Sequence, residues 1–179
     1  MRTFVAIEVN NNNVLDSIQQ IQSKLNIKSK PVELHNMHFT VQFLGEVSEE
    51  MVGKISDALN NIEFSAFSIS FASIGVFPKP NSPRVIWIGT DDGFNELEKL
   101  AEMIRSKLSH IGFSPDKKFK PHVTIFRVKN KIEGISDKLE KFSAYYFGKQ
   151  TVSEIKLKKS ELTQNGPIYT DLLVVKGKQ

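Results

Sequence analysis

With 179 residues and no cysteine, the chain has no disulfide, no thiolate nucleophile and no Cys-ligated zinc, and is long enough for one domain or two small lobes sharing a core. Apolar residues at 40% and charged residues at 25% are ordinary for a globular protein, and 24 basic against 20 acidic side chains leave a net charge of +4, a mild bias toward anionic partners such as nucleic acid. No apolar run approaches the roughly 20 residues that span a bilayer, and the chain opens directly into a strand pattern, so the expected location is the cytoplasm.

Residues 3–9 alternate β-forming side chains and are predicted as a strand. Asn11 to Asn13 supply turn and cap chemistry before Val14, Ile18, Ile21 and Leu25, which repeat at helical spacing. After Pro31, residues 38–44 form a second strand ended by Gly45, and Ser48 with Glu49 and Glu50 starts a second helix carrying Val52, Ile55, Leu59 and Ile62. Phe67, Ile69 and Phe71 alternate with serines as a half-buried strand; residues 75–83, with three prolines, are expected to be a loop. Residues 84–89 read as a strand holding Trp87, expected in the core. Asp91 and Asp92 are candidate caps for a third helix with Phe94, Leu97, Leu100, Ile104, Leu108 and Ile111 on one stripe. Residues 119–128 read as a strand, and Ile132, Ile135, Leu139 and Phe142 as a fourth helix. Residues 152–162 and 168–175 read as two strands joined through an Asn165-Gly166 turn, a hairpin with no obvious chemistry. No linker or low-complexity tract divides this order. Residues 1–179 are therefore expected to be a single bilobal α+β domain with mainly antiparallel sheets.

Two stretches stand out: His38-Phe39-Thr40-Val41 and Pro121-His122-Val123-Thr124-Ile125. On an extended strand each His shares a face with its Thr, while Phe39, Val41, Val123 and Ile125 turn the other way into a core. The two histidines lie 84 positions apart (122 minus 38), one in each half of the chain, which suggests a duplicated strand motif with two imidazoles meeting across a cleft. An imidazole titrates near neutrality, so one neutral and one protonated ring can remove a proton from water on one side of a phosphorus and return one to a leaving oxygen on the other. Thr40 and Thr124 hydroxyls beside them can donate to non-bridging phosphate oxygens. Arg127 is the candidate phosphate contact, yet strict alternation gives it opposite parity to His122, so either the strand bends or bulges after Ile125, or Arg127 supports the site indirectly or is structural. Phe77 is a candidate for base stacking, with anchoring of its loop as the alternative. His35 and His110 read as surface residues, and Lys156 to Lys159 as solvated charge. No carboxylate cluster accompanies the histidines, so no metal and no cofactor is expected.

These stretches, with Gly75-Val-Phe-Pro78, Pro83-Arg-Val-Ile-Trp87 and Leu162-Thr-Gln-Asn-Gly-Pro-Ile-Tyr169, resemble the 2H phosphoesterases, in particular the RNA 2′,3′-cyclic phosphodiesterases historically called 2′-5′ RNA ligases. The resemblance implies two lobes with pseudo-twofold symmetry, sheets with helices on their outer faces around a central cleft, and metal-independent opening of a terminal 2′,3′-cyclic phosphate to a 2′-phosphomonoester. It also implies His38 as proton donor, His122 as proton acceptor, RNA (tRNA-derived ends included) as partner, a monomer, and reversible 2′-5′ ligation as a side activity. Gln42 departs from the pattern, since these enzymes often carry a basic residue there. The competing readings are a 2H enzyme acting on a 2′-5′ oligoadenylate or a cyclic ADP-ribose phosphate, and a non-catalytic RNA-binding module.

Overall fold

The computed structural model describes residues 1–115 and 117–179. In chain order its elements are β1 (Arg2–Glu8), α1 (Asn12–Leu25), β2 (His38–Glu46), α2 (Glu49–Asn60), β3 (Phe67–Lys79), β4 (Ser82–Thr90), α3 (Phe94–Ser109), β5 (Val123–Arg127), α4 (Ile135–Glu140), β6 (Tyr146–Val152), β7 (Glu154–Thr163) and β8 (Gly166–Lys176). The strands lie in the order β6-β3-β4-β5-β2-β1-β7-β8, with every neighbouring pair antiparallel. The eight strands form one continuous sheet, not two separate ones, and its two four-stranded halves meet at β2 and β5 through the register pair Phe39–Val123. Each half brings its own His-x-Thr strand to the seam.

One face of this surface is apolar because alternation puts Phe39, Phe71, Val123, Ile125, Ile155 and Leu157 there. Against it pack Val14, Ile18, Ile21 and Leu25 of α1, Ile55 and Leu59 of α2, and Leu97, Leu100, Ile104 and Leu108 of α3, all in one contiguous core. Side chains of opposite parity, His38, Thr40 and Thr124 among them, are left on the face that the helices do not cover. The Asn11 side chain accepts the Val14 N–H at 3.1 Å and Ser48 accepts that of Met51 at 3.1 Å, so the first two helices start where cap chemistry predicts.

The third helix does not. Its N-cap is Gly93 in the left-handed region at φ +82°, and the Asp91 carbonyl, not a carboxylate, accepts the Phe94 N–H. A Cβ at Gly93 would meet the Ser68 carbonyl oxygen at 2.3 Å, so glycine is required by close approach as well as by φ. The proline-rich stretch is also no loop: β3 continues to Lys79 and β4 starts at Ser82. Pro78 and Pro83 face each other at the hairpin end, beyond a register shift after Phe77, where missing N–H groups leave no ladder bond unmade. The alternation of residues 146–152, interrupted by Gly148, conceals β6, which pairs with β3 as an edge strand. Gln150 of β6 is buried, and its side chain accepts the Asn10 N–H at 2.8 Å and donates to the Glu8 carbonyl at 2.8 Å, tying the start of α1 to the sheet.

Candidate functional site

The seam fixes the spacing of the two motifs. With Phe39 opposite Val123, an antiparallel ladder continued by one residue each way puts His38 opposite Thr124 and Thr40 opposite His122. Each ring is anchored alike: His38 Nδ1 bonds the Asn36 carbonyl at 2.7 Å, and His122 Nδ1 bonds the Lys120 carbonyl at 2.7 Å. A carbonyl only accepts, so both Nδ1 atoms carry the proton and the Nε2 atoms of the neutral rings hold their lone pairs. The Thr40 hydroxyl lies 2.9 Å from His38 Nε2, to which it donates. Burial pulls His38 down to about 4, with Lys158 and Arg127 adding to the shift and the Asn36 bond and Glu8 opposing it. Burial also lowers His122, with Arg127 and Lys120 adding and the Lys120 carbonyl opposing. In the free protein both rings are neutral near pH 7.

The parity of Arg127 is settled by a β-bulge. Thr124 pairs with Trp87 but Phe126 pairs with Ile86, so Ile125 is the extra residue; Ile125 and Phe126 both turn inward and Arg127 returns to the face of Thr124, opposite Val85. The bulged Ile125 carbonyl is not orphaned: it accepts the Val32 N–H at 2.9 Å and the Gln22 amide at 3.1 Å. The exposed guanidinium of Arg127 is close enough for its charge to bear on His38, His122 and Tyr169.

The same irregularity recurs in β2. Ala6 pairs with Thr40 and Val5 with Gln42, so Val41 is the extra residue, and Val41 and Gln42 both turn inward. Gln42 therefore donates its amide to the Phe113 carbonyl at 3.1 Å, behind the sheet, and position 42 has no part on the open face. Phe43 takes the place that Arg127 holds in the other half, and at 68% exposure it is a free aromatic surface.

Each imidazole sits among aromatic rings. His38 lies 5.2 Å from Phe4 and 5.4 Å from Tyr169. His122 lies 5.2 Å from Phe77 and 6.1 Å from Trp87. Trp87 is thus a wall of the site and not a core residue, and Phe77 packs on Trp87 at 5.2 Å instead of standing free. Gly75 makes room for the indole: a Cβ there would come within 2.2 Å of the Trp87 ring. Gly75→Ala is expected to destabilise the fold by about 1–3 kcal/mol through this overlap, seen as a lower thermal midpoint with weakened tryptophan burial in fluorescence. His35 and His110 are exposed, paired with Glu33 and the Ser106 carbonyl. The C-terminal hairpin does contribute, since β8 supplies Tyr169 and β7 supplies Lys158. Alternation alone carried Phe4 to this face; Tyr169 was visible only within the Gly-Pro-Ile-Tyr landmark. Among the described residues, no three His, Asp or Glu side chains converge on a common point that could hold a metal ion.

Comparison with known proteins agrees with the duplicated architecture. The family model for LigT like phosphoesterases matches the chain twice, over residues 7–87 and 88–169. The chain belongs to the LigT-like phosphoesterase family. Similar proteins include an RNA 2′,3′-cyclic phosphodiesterase of Archaeoglobus fulgidus, 43% identical over 97% of this chain and 99% of that one. Another, from Methanocaldococcus jannaschii, carries the same name and is 41% identical over 94% and 96%. Among solved structures, E. coli LigT complexed with 3′-AMP superposes with a TM-score of 0.80 at 26% identity, covering 99% of this chain and 98% of that chain. The boundary between the two family matches falls in β4, so each match carries one His-x-Thr strand.

Proposed function

We propose that this LigT-like phosphoesterase is an RNA 2′,3′-cyclic phosphodiesterase that opens a terminal cyclic phosphate to a 2′-phosphomonoester without metal. The observation that carries the reading is the matched pair of imidazoles, each fixed through Nδ1 by a carbonyl two residues back and set beside a threonine on one open face. The phosphate lies between the Nε2 atoms. His122, as base, takes a proton from water as the water oxygen bonds to phosphorus. The bond from phosphorus to the ribose 3′ oxygen breaks, and His38, as acid, gives that oxygen its proton. Thr124 and Thr40 hydroxyls and the Arg127 guanidinium hold the non-bridging oxygens and stabilise their charge. Phe43 offers its exposed ring to the nucleobase, a stacking role for which sequence offers Phe77 as one candidate. With a 5′-hydroxyl in place of the attacking water, the same path breaks the bond from phosphorus to the 3′ oxygen and forms a 2′-5′ phosphodiester, and its reverse cleaves that bond back to the cyclic phosphate.

Names of the relatives support the substrate, and the complex of E. coli LigT with 3′-AMP supports nucleotide binding. The test is an RNA ending in cyclic phosphate, incubated with the protein in EDTA. A single 2′-monoester end is expected; no product, or product only after added divalent metal, refutes the proposal.

Phosphate also couples to pH. Both rings are held below the ordinary histidine value, and a bound anion favours their protonated forms, so binding takes up protons. Affinity for a nucleoside 2′-monophosphate is therefore expected to rise as pH falls from about 8 to about 5, measured by calorimetry in buffers of different ionisation heat. Proton release on binding would contradict it.

A further inference from the structure

The open face carries a second charged group that the reaction scheme leaves unused. Lys156 and Lys158 of β7, Glu8 of β1 and Asp171 of β8 form a closed ring of alternating sign. Lys156 Nζ lies 3.0 Å from one Glu8 oxygen and 2.8 Å from one Asp171 oxygen. Lys158 Nζ contacts the other Glu8 oxygen and lies 2.9 Å from the other Asp171 oxygen. Glu154 adds a looser contact to Lys156 at 3.8 Å. The lysine side chains are only 7% and 13% exposed, so this is no solvated charge run. A buried ammonium that loses one partner is costly, and a ring in which every charge has two opposite neighbours is the arrangement that tolerates such burial.

Its position beside the reactive ring is the informative part. Glu8 is the register partner of His38 across β1 and β2, and Lys158 is the register partner of Phe4, on which the His38 ring rests. The charged and titratable groups facing His38 are Glu8 from β1, Lys158 from β7, Tyr169 from β8 and Arg127 from β5, with the Asn36 carbonyl and Thr40 as hydrogen-bond partners. Glu8 is thus the carboxylate that faces His38, and a free carboxylate there would pair with the imidazolium and hold its proton. Both its oxygens are instead occupied by lysines.

We propose that the Glu8–Lys156–Asp171–Lys158 ring is a positioning device for the reaction: it keeps the Glu8 carboxylate from pairing with His38, so that bound phosphate is the anion that holds the proton on that imidazole. This rests on His38 as a proton-transfer residue. Glu8, Lys158 and Asp171 touch no reacting atom; they act through His38.

The test is an NMR titration of the His38 imidazole in the free protein, with kcat/KM pH profiles measured in parallel on the cyclic-phosphate RNA. Lys158→Met frees one oxygen of Glu8, the other staying with Lys156, and leaves the ring with net negative charge, and the His38 midpoint is expected to rise by about half a unit or more. Glu8→Gln leaves it net positive and is expected to lower the midpoint by a similar amount. The double variant is neutral again and is expected to return toward the parent. Asp171→Asn, at the most exposed member, is expected to move it in the same direction as Glu8→Gln and serves if either single variant fails to fold. Midpoints unmoved, or moved the same way by Lys158→Met and Glu8→Gln, overturn the proposal. The titration needs no turnover, so a His38→Ala protein that remained active would defeat the catalytic reading while leaving the titration of the ring to be judged by itself.

Discussion

His38→Ala and His122→Ala are each expected to lower kcat on a cyclic-phosphate RNA by about 10²–10⁴, the usual worth of a positioned general acid or base. Neither ring is part of the apolar core, so the circular dichroism spectrum should be unchanged and the loss chemical. Leaving-group dependence separates the two roles. A phosphodiester with a nitrophenolate leaving group departs without a proton, so on that substrate the acid becomes dispensable while the base does not. His38→Ala should then recover most of its activity and His122→Ala should not. The assignment has to overcome an opposing trend, because burial lowers His38 to about 4 and the less enclosed His122 is the easier ring to protonate in the free protein. In the proposed scheme, phosphate between the rings, with its negative charge, supplies what His38 needs to carry a proton. Equal recovery in both variants, or recovery in His122→Ala alone, would reverse or remove the assignment.

Arg127→Met is expected to lower kcat/KM by about 10²–10³, comparable to removing one preorganised donor from a developing anion. The guanidinium is exposed and its backbone carbonyl accepts the Ser29 hydroxyl at 2.6 Å, so the bulge should survive loss of the side chain. Arg127→Lys keeps the charge but loses the planar fork, and should fall between Arg127→Met and the parent. The substitution has a second signature. Arg127 lowers the proton affinity of both histidines, so its removal should shift the pH profile toward higher values together with the drop in rate. A rate loss with no change in profile would mean that the guanidinium contacts substrate away from the rings.

Much of this site can be read from alternation and much of it cannot, for identifiable reasons. The shared face of His38 and Thr40, and of His122 and Thr124, follows from the two-residue period of a strand and needs no partner. The face of Arg127 does not, because a bulge is a property of two strands: Ile125 is extruded by the spacing of β4, and its carbonyl is satisfied by Gln22 and Val32 about a hundred positions away. Gln42 fails in the same way, since the bulge at Val41 turns it inward. A lysine-rich segment looks solvated until carboxylates from β1 and β8 are folded against it, and Lys156 and Lys158 are enclosed by those partners instead. Prolines in residues 75–83 weighed against a strand, though their missing N–H groups fall where the ladder ends. Aromatic residues posed the converse difficulty: Trp87 and Phe77 have the composition of core, and only the glycine at 75 hints that an indole lies flat across the sheet.

The claim beneath all of this is that two imidazoles from the two halves of a duplicated chain address a single phosphate. It is tested most directly by following both histidine side chains by NMR while one equivalent of a nucleoside 2′-monophosphate is added. The expected result is that the His38 and His122 midpoints rise together and saturate at the same ligand ratio. A shift confined to one ring, or two shifts that saturate separately, would mean that the two motifs do not share a substrate.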